Sequence, residues 1–154
     1  MKVPLLTPAD IVGLSPDVVR LLVTEHAENW SAVTLIIGTG HAIIYNPEHS
    51  ARRQSSDLMH EIAHILIEHE PDRMIVSGDA KLVLRTFDGT QEEEARWLAG
   101  CLLLPRPALL WIERSGLSLE QTCRKFLVSR DLLTYRRNIS GVTLQTKRRR
   151  RSST

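Results

Sequence analysis

Leu58-Met59-His60-Glu61-Ile62-Ala63-His64-Ile65-Leu66-Ile67 decides how this chain is read. Apolar side chains at 58, 59, 62, 63, 66 and 67 recur at helical spacing, so the stretch is a helix with one buried face. Histidines at i and i+4 share a side of that helix, and both imidazoles can reach a single metal ion. Glu61, one residue past the first histidine, is placed to act as general base toward a water activated by such an ion. A lone histidine on an apolar helix is ordinarily a satisfied core residue. Two at this spacing, with a glutamate between them, point to Zn²⁺. Ser55, Ser56 and Asp57 are suited to opening the helix, and Pro71 to ending the run after His69-Glu70.

Working outward, Ser15 and Pro16 predict the start of a helix from Asp17 to about Trp30. The β-branched run Val33 to Ile37, the turn Gly38-Thr39-Gly40 and the run His41 to Tyr45 predict a β-hairpin, closed by Asn46-Pro47. Residues 46–54 read as a polar loop. Beyond Pro71, Arg73 to Val76 and Leu82 to Arg85 are short strands or irregular segments. Thr90 is suited to cap a helix from Gln91 to about Leu104, with carboxylates in its first turn. Pro105-Arg106-Pro107 breaks it, and Ala108 to Arg114 is a further short helix. Ser118 and Gln121 form a capping box ahead of Leu119 to Phe126, and Ser129 caps Arg130 to about Arg137. The expected fold class is α+β, mostly helical, with a short N-terminal β-hairpin packed on the motif helix.

The 154 residues suit one domain, expected over 1–141, followed by a flexible basic tail over 142–154. No stretch reaches eighteen apolar residues, so no membrane span is expected. Met1-Lys2-Val3-Pro4-Leu5-Leu6 is too soon polar for a signal peptide, and Cys101 and Cys123 form no CxxC pair. Both points favour a cytoplasmic protein with reduced thiols. The net charge of +2 hides an asymmetry: residues 1–146 carry 15 basic and 18 acidic side chains, and Lys147 to Arg151 add five positive charges. With no interleaved aromatics the tail reads as solvated, and direct nucleic-acid binding is not expected beyond a weak role for it. No glycine-rich phosphate loop or nucleophile elbow is present.

A zinc site needs a third protein ligand and an open position. Glu92-Glu93-Glu94 stands at the head of the next long helix. Glu94 lies beside the packed positions Ala95 and Leu98, Glu92 shares a face with Ala95 and Ala99, and Glu93 tends outward. His69 lies nine residues after His60 but lacks the glycine turn that a third histidine of that kind requires. His41 and His49 could contact substrate, with plain surface polarity the default. Tyr45, His49, Arg52 and Arg53 are candidates to stabilise an oxyanion. The strand His41 to Tyr45 is a candidate to pair with a substrate backbone.

Asn46-Pro47, Arg53, the His60-Glu61-x-x-His64 helix, Glu94-Ala95, Leu98-Ala99 and Leu102-Leu103-Leu104-Pro105 together resemble the ImmA/IrrE family of zinc metallopeptidases. Phe126-Leu127-Val128-Ser129 matches a further block of that family, and the resemblance covers roughly residues 30–141. It implies a small zincin-like fold of gluzincin type, Zn²⁺ held by His60, His64 and Glu94, and Glu61 as catalytic base. It also implies site-specific cleavage of a helix-turn-helix repressor encoded nearby, in stress response, prophage control or toxin–antitoxin-like pairs. Arg96 stands where the family commonly has Asn or Asp, and Leu98 where Phe is frequent. The alternative is a non-catalytic regulatory module, antitoxin-like or repressor-binding, that keeps the fold; an intact Glu61 argues against it.

Overall fold

The motif helix opens earlier than the serine-rich stretch predicts. In the computed structural model, which describes residues 2–37, 40–70, 73–76 and 83–151, Ser50 is the N-cap and its hydroxyl accepts from the Arg53 N–H. The helix, α2, then runs Ala51–Ile67. Ala51, Arg52, Arg53 and Gln54 are all good helix formers, so the polar segment read as loop simply continues the helix backwards. At the other end Glu68 takes a left-handed conformation, φ 59°, and the helix stops there. Pro71 lies outside the described residues.

Before it comes α1, Pro16–Val23, capped by Ser15 as expected. It ends short of Trp30 at Thr24, which leaves the helical conformation while its N–H and hydroxyl both donate to the Arg20 carbonyl. A short 3₁₀ turn at Ala27–Asn29 follows, and the Trp30 indole N–H donates back to the Leu22 carbonyl.

Among the described residues five strands form one sheet: β1 Leu5–Leu6, β2 Ala32–Ile37, β3 Gly40–Tyr45, β4 Arg73–Val76 and β5 Val83–Thr86, in the order β1-β3-β2-β5-β4. The expected hairpin is present, with Val33 opposite Ile44 and Leu35 opposite Ala42. Residues 38–39 of its turn lie outside the description, as does Leu82. β1 pairs in parallel with β3 at Ile43 and Ile44. That corrects one expectation: β3 is flanked on both sides, so Ile43 and Ile44 have no open edge to offer a substrate.

The sheet packs on α2, and α2 packs on α3, Gly89–Leu103. Asp88, not Thr90, caps α3, its carboxylate accepting from the N–H groups of Thr90 and Gln91. Between α2 and α3 the core is made of Ala63, Ala95 and Ala99, all buried, flanked by Met59 and Leu98. Side chains this small let two helices approach closely.

Four shorter helices complete the fold: α4 Arg106–Ser115, α5 Leu119–Phe126, α6 Arg130–Ser140 and α7 Val142–Arg151. The capping box at Ser118 and Gln121 and the Ser129 cap are as predicted. Their own core gathers Leu104, Leu109, Ile112, Cys123, Val128, Leu133 and Val142. Cys101 is half-buried, Cys123 buried, and both are free thiols. The fold is α+β, and no described helix is long and apolar enough to cross a membrane.

The chain does not leave the domain at Gly141. Gly141 adopts φ 67°, which ends α6 and lets the backbone restart as α7 with Val142 fully buried. Residues 142–151 are therefore helical and anchored at one end, where the sequence suggested a flexible tail. Val142→Ala is expected to lower unfolding free energy by about 2 kcal/mol through lost burial. Urea denaturation checks this, and a change under about 0.5 kcal/mol, the scale of ordinary surface substitutions, would mean that α7 is not seated in the core.

Candidate metal centre

One turn of α2 puts His60 and His64 on the side that faces α3, and the alanine contact between the helices brings Glu92 across to them. His60 Nε2 lies 3.1 Å from His64 Nε2 and 3.1 Å from Glu92 Oε2, and His64 Nε2 lies 3.4 Å from Glu92 Oε1. Ligand atoms held at about 2.0–2.1 Å around a tetrahedral ion are about 3.3 Å apart, so this two-imidazole, one-carboxylate set fits such an ion. Among the described residues it is the group whose donor atoms converge, within 4.8 Å of one another.

Glu94, which the resemblance favoured as third ligand, is not part of that convergence. One helical position separates donors by about 100°, and two separate them by about 200°, so Glu92 and Glu94 cannot address the same point. Glu94 instead reaches His69, Oε2 to Nε2 at 3.1 Å, and His69 Nδ1 lies 2.9 Å from His64 Nδ1. The three form a chain running away from the centre. A carboxylate only accepts, so His69 carries its proton on Nε2 and its Nδ1 is the acceptor. That acceptor takes the His64 Nδ1 proton and leaves the His64 Nε2 lone pair free for a metal. His69 thus stands outside the three converging donors and fixes the tautomer of His64. Phe87 stacks on the His64 ring at 3.8 Å and holds its plane.

Burial has an electrostatic consequence here. Desolvation, helped by the neighbouring rings of His60 and His69, pushes the His64 pKa down to about 4. Glu61 is held above the usual carboxylate range, chiefly by burial, with the charge of Glu92 adding and a hydrogen bond from Thr34 opposing. That bond runs from Thr34 Oγ1 to Glu61 Oε2 at 2.6 Å. It crosses from β2 to α2 and fixes the carboxyl of the residue next to His60.

A cleft of about 330 Å³ opens over the centre, lined by Ser31, Ala32, Ser56, Asp57, His60, Glu61, Glu92 and Arg96. Of the oxyanion candidates, Arg53 reaches its rim: the guanidinium donates to Ser31 Oγ and lies 3.8 Å from Asp57. His49 is buried behind Asp57, 3.3 Å from it, with its other ring nitrogen 3.2 Å from the Ala27 carbonyl. Arg52 points to Glu120, and neither Tyr45 nor His41 lines the cleft. Sequence reasoning missed Thr34, hidden in a β-branched run, and the position of Arg96. The one signal for Arg96 was its departure from the expected pattern.

A histidine pair and a glutamate from two packed helices, with a half-buried glutamate beside them and a small sheet above, define a zincin-like domain of metallopeptidase type. The chain belongs to the Peptidase_M78 family, the IrrE N-terminal-like domain, whose sequence model matches residues 22–138. No curated protein and no solved structure matches it.

The low His64 pKa predicts how the metal-free protein responds to acid. Unfolded, His64 takes a proton near 6.5; folded, only near 4, so between those values the unfolded chain binds more protons. Stability is full above about pH 6.5 and falls as pH drops toward 4, by up to about 3 kcal/mol from this group. Urea titrations of the apoprotein between these pH values check it. Stability that is flat across the window would show that His64 protonates freely in the fold.

Proposed function

We propose that the chain is a zinc-dependent endopeptidase in which His60, His64 and Glu92 hold the ion and Glu61 is the catalytic base. The observation that carries this reading is the convergence of those three donors at one point, with Glu61 beside them in an open cleft. When bound, zinc activates water for attack and polarises a carbonyl. Glu61 accepts the proton from the attacking water and returns it to the leaving amine, and its raised pKa brings it nearer to neutral working pH. Thr34 keeps the Glu61 carboxyl turned to the cleft. Arg96 lines the same cleft and is suited to neutralise charge developing on the former carbonyl oxygen. Ser31 and Ala32, at the start of β2, form a wall along which an extended substrate can lie, in place of β3.

The substrate class we infer is a helix-turn-helix regulator encoded near this chain. This rests on the family and on a cleft that, at about 330 Å³, admits a few residues of extended chain rather than a large cofactor. A purely regulatory binding module would have no use for Glu61 held between a metal ligand and Thr34.

Elemental analysis and cleavage assays test the assignment together. About one zinc per chain is expected in wild type, lost in His60→Ala and in Glu92→Ala. Glu94→Ala keeps the ligands but loses the tautomer lock, so its zinc affinity falls about 10–100-fold without vanishing. Glu61→Gln keeps zinc and loses about 10²–10⁴-fold in cleavage of the neighbouring regulator. Zinc retained by Glu92→Ala but absent from Glu94→Ala would return the third ligand to Glu94. A folded wild type that takes up no zinc when supplied would sink the peptidase reading.

A further inference from the structure

Among the described residues three Trp, Tyr or Phe side chains stand exposed: Trp97, Trp111 and Tyr135. Trp111 has partners within the fold. Phe126 packs against it edge-on, and Lys125 Nζ lies 5.5 Å from the centre of its ring. Trp97 and Tyr135, 55% and 50% exposed, have no such cover among the described residues. Both line one groove of about 1080 Å³ between α3 and α6. Leu98 and Leu132, half-buried, and Ile67, from the last turn of α2, share that lining. Apolar side chains scattered singly over a surface are ordinary, but a contiguous set in one trough marks an interaction surface. Tryptophan and tyrosine are also the residues that most often dominate binding energy at protein interfaces.

Charge and shape narrow what can lie there. The groove carries three carboxylates, Glu93, Glu94 and Asp131, against the single guanidinium of Arg96, a net of −2. Glu94 is engaged by His69, whereas Glu93 and Asp131 have no ion-pair partner among the described residues. Anionic ligands are repelled. A cation is drawn both to the carboxylates and to the faces of Trp97 and Tyr135, as Lys125 is drawn to Trp111. Every lining residue belongs to α2, α3 or α6, where the backbone groups are already paired along the helices. An occupant therefore finds no strand edge to extend and must satisfy its own backbone. A helix does this, and its apolar residues at i, i+3, i+4 and i+7 form a stripe suited to a trough between two other helices.

We propose that the groove between α3 and α6 docks a cationic amphipathic helix of a partner protein. The apolar stripe of that helix lies on Ile67, Trp97 and Leu132, and its flanking lysine or arginine side chains pair with Glu93 and Asp131 and cover the rings of Trp97 and Tyr135. Arg96 lines this groove and the metal cleft alike, so the docked helix lies next to the cleft without filling it. The docking site does not depend on the peptidase assignment, since it uses neither the converging donors nor Glu61.

The test uses the full chain as bait for a displayed library of helical peptides of about 15 residues, roughly four turns. Selected sequences should carry aliphatic residues at i, i+3 or i+4, and i+7, flanked by lysine or arginine. A labelled peptide from that selection is then followed by fluorescence anisotropy. Changing its basic residues to Glu should weaken binding at least about tenfold, and raising salt from about 50 to 500 mM should weaken the basic peptide alone. Trp97→Ala/Tyr135→Ala should cost at least about tenfold in affinity, with thermal unfolding and zinc content unchanged. Glu93→Gln/Asp131→Asn, at two exposed positions, should keep the fold and flatten the salt dependence. No enriched sequence, equal binding of the basic and Glu peptides, or binding that neither double variant weakens would each overturn the proposal. So would self-association of the chain in sedimentation that Trp97→Ala/Tyr135→Ala abolishes, which would make a second copy the occupant.

Discussion

The contact between α2 and α3 through Ala63, Ala95 and Ala99 is what the rest of the site depends on. Two histidines on one helix make only half a ligand set, and the carboxylate must arrive from elsewhere across a distance of a few ångströms. Alanine is the side chain that excludes water while adding the least thickness between helices. A larger residue at any of the three positions would force the helices apart and move Glu92 relative to His60 and His64. The donor separations of 3.1 and 3.4 Å are thus a result of core packing as much as of the donors' identity.

The sheet matters for a different reason. It contributes no ligand, yet it places Thr34 against Glu61 and supplies Ser31 and Ala32 as a wall of the cleft. Function is therefore spread over three layers. The helix pair holds the converging donors, the strand positions the Glu61 carboxyl, and the residues behind His64 set its protonation. Only the first of these repeats in a pattern that periodicity can find.

That explains what was legible in the sequence. The motif helix, the hairpin, the capping box at Ser118 and the Ser129 cap all follow from local rules, and each is present. The choice among Glu92, Glu93 and Glu94 is not local, since it turns on the phase of α3 relative to α2. Resemblance favoured Glu94, while the geometry brings Glu92 to the histidines and Glu94 to His69. Thr34 was invisible because a threonine in a β-branched run looks like any strand residue. Residues 142–151 read as a solvated end because a run of like charge normally marks one, while the structure continues them as a helix behind one buried valine.

The way α2 stops has a consequence of its own. Glu68 turns left-handed and the His69 N–H closes on the His64 carbonyl at 3.1 Å, so the chain doubles back over its own last turn. That reversal is what carries the His69 ring to the rear of His64. Were the helix to run on for one more turn, His69 would be swept round its axis and His64 would lose the neighbour that fixes its proton. A terminus usually regarded as mere punctuation thus acts as a setting screw for the metal centre. Evolution could adjust the centre's affinity there without altering any ligand.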